Sequence, residues 1–176
     1  MKHLILGMAF AAALGVFADQ KIMDIRPEAN PKAGPTSVEW EAKHAAELTA
    51  EVTDAKIAAL LQGGETAVSA LLAEVRPNYQ TDPLKACLIA AVSQSVMAAN
   101  GAQRALWTKA LLKAAEGAKE VDVKCYFLDQ LRWCGSADQA AEVERIAAAS
   151  GSDAVKQFAK MVALEITGAQ QKKIVK

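Results

Sequence analysis

The 176-residue sequence predicts an all-α fold, a short α-solenoid built from antiparallel helix pairs. Three observations predict it. Alanine, the best helix former, supplies 38 of the 176 residues, while aromatics make up only 5%. Runs of β-branched residues bounded by turn signals are missing, and those are what strands require. Finally, Gly101, Gly135 and Gly168 stand 34 and 33 residues apart and each closes a parallel phrase. The phrases are Ser95-Val-Met-Ala-Ala-Asn-Gly101, Asp129-Gln-Leu-Arg-Trp-Cys-Gly135 and Val162-Ala-Leu-Glu-Ile-Thr-Gly168. A period of this size marks an array of stacked helix pairs, and such arrays bind along an extended surface more often than they catalyse.

Residues 1–18 read as a signal peptide. Met1-Lys2-His3 is a basic start, Leu4 to Phe17 is apolar, and Val16-Phe17-Ala18 places small residues where a signal peptidase cuts, after Ala18. The apolar run is too short to span a bilayer comfortably, so no membrane span is expected once it is removed. No cysteine follows the cut, which disfavours a lipid anchor. A periplasmic or secreted protein starting at Asp19 is therefore expected. Residues 19–36 carry Pro27, Pro31 and Pro35, a spacing that excludes helix and favours an extended arm.

A helix is expected from the capping-box phrase Thr36-Ser-Val-Glu39. Over residues 37–64 the pattern runs through Trp40 and Leu48, weakens between Thr49 and Thr53, and resumes at Ile57, Leu60 and Leu61 before Gly63-Gly64. One helix or two both satisfy it. Residues 65–168 hold the repeats. In the first pair, Val68, Leu71, Leu72 and Val75 have helical spacing, and Asp82-Pro83 opens the second helix with an N-cap and a first-turn proline. The second pair spans about 102–115 and 120–134. The third starts at Ser136, whose Gln139 completes a capping box, and its B helix runs from Ser152 to Thr167. Residues 169–176 form a basic tail.

Aligning the three B helices on their closing glycines places Met97, Leu131 and Leu164 four positions before the glycine. Gln94, Leu128 and Met161 lie seven before, Ala91, Cys125 and Phe158 ten before, and Cys87, Val121 and Ala154 fourteen before. That stripe is apolar in eleven of its twelve places, with Gln94 the exception, and it is expected to be buried by stacking.

The phrase Cys125-Tyr-Phe-Leu-Asp-Gln-Leu-Arg-Trp-Cys-Gly-Ser136 ends one B helix and opens the next A helix. It resembles HEAT-repeat proteins of exported bacterial types, and the likeness covers roughly Glu65 to Gly168. The resemblance implies about three HEAT-like antiparallel helix pairs with an N-terminal helical extension. It specifies packing positions and carries no catalytic motif.

Chemistry-bearing residues are sparse. After the leader the chain keeps one histidine, His44, and has no Gly-x-Ser-x-Gly elbow. Cys87, Cys125 and Cys134 lack metal-ligand spacing. Cys87 and Cys125 are expected to be buried thiols acting as small hydrophobes, with a disulfide between them the alternative. Glu47, Glu51, Asp138, Glu142 and Glu144 are interleaved with cations and read as solvated helix faces. An enzyme is not expected, and neither a cofactor nor a metal is called for. Without the leader, 19 lysines and arginines face 20 acidic residues, a balance that argues against nucleic acid and against charge-driven membrane binding.

A scaffold that binds another protein through its B-helix face is the expected function. Lys124, Asp129, Arg132 and Trp133 on the second B helix, with Gln157 and Lys160 on the third, are the candidate binding residues, Trp and Arg being common interface anchors. An uncapped end would also allow a homo-oligomer. The alternatives are a periplasmic carrier of a small ligand, with a cavity near Gln94, or an accessory subunit of an envelope enzyme. On this reading Leu131→Ala costs roughly 2–5 kcal/mol and Arg132→Ala hardly affects stability.

Overall fold

The computed structural model describes residues 43–78, 80–97 and 101–168. The leader, the proline-rich arm, the Thr36 capping box, Trp40 and the basic tail lie outside the described residues. Helices α1 (Ala45–Glu51), α2 (Asp54–Gln62), α3 (Gly64–Leu72), α4 (Pro83–Met97), α5 (Gly101–Gly117) and α6 (Val121–Cys134) are followed by a 3-10 turn (Ala137–Gln139), α7 (Ala140–Ala149) and α8 (Asp153–Ile166). Among the described residues there is no strand, and no helix is long and apolar enough to cross a membrane.

The helices form two layers. α3, α5 and α7 pack side by side in one layer, and α4, α6 and α8 do so in the other. Within each pair, α3 meets α4, α5 meets α6 and α7 meets α8. This is the expected all-α solenoid of three helix pairs. α1 extends the second layer by packing on α4, and α2 lies against α3, α4 and α5. From Ala45 to Gln62, within the ambiguous N-terminal stretch, the described residues thus form two helices rather than one. They part at Val52-Thr53, where Thr53 turns extended and its hydroxyl oxygen accepts the Lys56 N–H at 3.2 Å.

The starts follow the capping chemistry. Asp82 Oδ1 accepts from Leu84 N–H at 2.8 Å ahead of Pro83. Ser152 caps α8 by accepting from Val155 N–H at 3.4 Å. At the third pair, Ser136 N–H donates to Gln139 Oε1 at 2.7 Å, and the capping box is complete.

The core between the layers includes Trp107, Leu111, Leu128, Leu131, Val143, Val155 and Val162, all fully enclosed. Its register corrects the glycine-based alignment. The stripe that is buried in all three B helices is Ile89, Val92 and Val96 in α4, Lys124, Phe127 and Leu131 in α6, and Val155, Phe158 and Val162 in α8. These sets lie 35 and 31 residues apart, against 34 and 33 for the glycines. Met97, Val121 and Leu164, placed on the buried stripe by the glycines, are exposed, and so is Ala154.

The three glycines slip because they do different work. Gly101 is the first residue of α5 rather than the end of α4. Gly135 has extended backbone, and a Cβ there would sit 2.5 Å from Leu131 O and 3.1 Å from Ile166 Cγ2. A side chain would push the end of α6 off α8. Only Gly168, with φ +65°, takes the left-handed form that ends a helix.

Candidate docking face and polar interior

α6 lies between α4 and α8, and there the structure buries two of the side chains that the sequence assigned to a partner, Lys124 and Asp129, and half-buries Arg132 and Trp133. Lys124 is 7% exposed. It stands one turn into α6, and the antiparallel turn at 118–120 brings it over the end of α5, where Nζ donates to Ala115 O at 2.5 Å and Glu116 O at 3.2 Å. A cation there answers the unpaired carbonyls and negative pole of a helix C-terminus. Burial pulls the ammonium's pKa below its usual value, and Glu116 opposes the shift. Lys124 is therefore a structural cap, a correction to its assignment as a docking residue.

Arg104 on α5 does the same for α6. Its Nε donates to Cys134 O at 2.6 Å and its Nη2 to Gly135 O at 2.5 Å. Each helix of the second pair thus ends on a cation from near the start of its partner.

Asp129 and Arg132 are also turned inward. Asp129 is 2% exposed and accepts from Arg132 Nη1 at 3.1 Å. The guanidinium's Nε donates to Glu165 of α8. Burial pushes the Asp129 carboxyl above its ordinary range, with Arg132 pulling it back. One guanidinium between two carboxylates clamps α6 to α8. Arg132 is thus turned toward Asp129 and Glu165 rather than out toward a partner, a correction to its assignment as a docking residue. Trp133 is half-buried.

A second polar network, missed by sequence reasoning, joins the first two pairs. Trp107 Nε1 donates to Ser93 Oγ at 2.9 Å, and that hydroxyl lies 3.0 Å from Gln130 Oε1 and 3.1 Å from Ile89 O. Ser93, Trp107 and Gln130 are all buried, and the Ser93 hydroxyl links the indole N–H to the Gln130 side-chain oxygen in the interior. Gln94, next along α4, is half-buried.

The three cysteines are buried thiols. Burial raises Cys125 to about 11 and Cys134 to about 12, which suppresses the thiolate that nucleophilic or redox chemistry needs. Tyr126 Oη is buried with no hydrogen-bond partner. Desolvation, then Cys87 and Asp129, hold its proton well above the usual phenol range. His44 is half-buried just before α1, and among the described residues no three His, Cys, Asp or Glu side chains are grouped to hold a metal.

Two of the assigned residues do face solvent. Gln157 and Lys160 are exposed on α8, the outermost second-layer helix of the described stack, and Asp153, Lys156 and Leu164 are exposed beside them. Leu164, at 40%, is one of three large apolar side chains left in water among the described residues. Asp153 pairs with Lys156 within α8 at 3.1 Å, whereas several charges of the other layer pair between helices. Glu65 of α3 meets Lys113 of α5 at 3.0 Å, and Glu116 of α5 meets Arg145 of α7 at 2.6 Å, with Glu142 also on Arg145 at 2.7 Å. In comparisons with known protein families, curated proteins and solved structures, the chain matches none.

Proposed function

We propose that the chain is an exported, non-catalytic helical-repeat scaffold of HEAT-like type that docks another protein on the outward face of α8. The observation that carries this reading is the contrast between α6 and α8. In α6, Lys124, Asp129, Gln130 and Arg132 are engaged in holding helices together. On α8, Asp153, Gln157, Lys160 and Leu164 fall at steps of four, three and four residues and are all exposed, a continuous stripe of mixed charge with an apolar end. Such a stripe suits a polar-rimmed protein interface and suits nucleic acid poorly. Export is inferred from residues 1–18, and it places the partner outside the cytoplasm.

Photo-crosslinking in the native cell tests the reading. A crosslinking amino acid at 157, 160 or 164 should trap one discrete protein species, while the same group at 144 or 148 on α7 should not. Equal trapping from both helices, or trapping from α7 alone, would overturn the assignment to α8.

A further inference from the structure

α1 is attached to the stack differently from the other helices. Its buried side chain, Leu48, and Val52, just past its end, join Cys87 of α4 in a small cluster, with Leu84, Leu88 and Ala91 packed around it. The main core gathers buried residues from α2 to α8 without Leu48 or Val52, and it meets their cluster only through the partly buried Leu88 and Ala91. Nor does α2 depend on α1 for its start, since the Thr53 hydroxyl oxygen already accepts the Lys56 N–H. The junction is bridged by the Glu51–Lys56 pair at 2.8 Å, about half-exposed on both sides, and an exposed pair of that kind is screened by salt and holds little. α1 has only seven residues, too few to persist as a helix without its packing.

From these contacts we infer that α1 is a strap that releases from α4 as a unit, ahead of global unfolding, and uncovers the apolar face around Cys87. Cooperative units with few buried contacts open at lower cost than the core.

Alkylation of the folded full chain by iodoacetamide, read by peptide mass mapping, tests this, because Cys125 and Cys134 in the main core report global opening. Cys87 should be modified at least tenfold faster than either. Leu48→Ala should speed Cys87 at least tenfold further and leave the other two within twofold. A smaller ratio in the parent protein overturns the proposal, as does a variant that speeds all three thiols alike or leaves Cys87 below that tenfold gain. If Leu48→Ala loses its helical circular dichroism, the ratio in the parent protein decides alone.

Discussion

Arg132→Ala is the perturbation whose outcome the structure changes most. The guanidinium is 17% exposed and stands between Asp129, whose side chain is 3% exposed, and Glu165, at 25%. Truncation leaves the Asp129 carboxylate in the interior with no cation. Removing one partner of a fully buried pair costs about 3–5 kcal/mol. Water can reach Glu165, so the lower end applies, about 3 kcal/mol. At roughly 2–4 °C per kcal/mol for a chain of this size, the melting temperature should fall by about 6–12 °C. Urea and thermal unfolding, followed by circular dichroism, measure it. The pH dependence has a definite sign. Burial raises the Asp129 pKa in the fold, and loss of Arg132 raises it further, so as the pH falls the folded variant takes up this proton before the unfolded chain does. The deficit should be largest near neutrality and should shrink as acid protonates Asp129. Adding Asp129→Asn should recover part of the loss at neutral pH. An Arg132→Ala variant within about 0.5 kcal/mol of the parent, the range of ordinary surface changes, would refute the clamp.

Leu131→Ala, at a fully enclosed site, should cost about 2–5 kcal/mol in the same unfolding assay, whereas Leu164→Ala should stay within about 0.5 kcal/mol; equal costs would show the burial register to be wrong. Gly135→Ala should destabilise by about 1–3 kcal/mol through overpacking against Leu131 O and Ile166, and a neutral result would mean that α6 and α8 can separate freely there. Because burial raises Cys125 from 9.0 to about 11, its thiolate fraction at pH 8 should be about 100-fold below that of an unperturbed cysteine. A disulfide-exchange reagent should therefore react with Cys125 at least that much more slowly than with a small free thiol, and comparable rates would show that the site is open.

The fold class was legible because it rests on composition and on signals that act locally. Asp82-Pro83 and Ser136 with Gln139 cap where they were expected to cap, since an N-cap is satisfied within three residues of itself. The register was not legible, because it was anchored on glycine identity. Gly101 starts a helix, Gly135 allows two helices to touch and Gly168 turns left-handed, and sequence spacing treats the three as one kind of site. The candidate face suffered from a related blindness. Lys124 and Arg132 look solvated when read by residue type, but they reach Ala115 O and Glu165 on neighbouring helices, and Asp129 is buried beside Arg132. Long-range pairing of that kind leaves no local trace. Buried Ser93 and Gln130 offered one faint signal, polar residues among apolar neighbours on B helices, and that signal marks a network only once Trp107 is placed against it.

The most direct test of the docking account separates surface from interior. Partner capture from the cell envelope should be compared between Lys160→Glu/Leu164→Gln and Arg132→Ala, each with its melting curve. The account predicts that the α8 pair loses capture while melting within about 2 °C of the parent, as surface changes do, and that Arg132→Ala melts lower yet still captures below its transition. Capture retained by the α8 variant would contradict it.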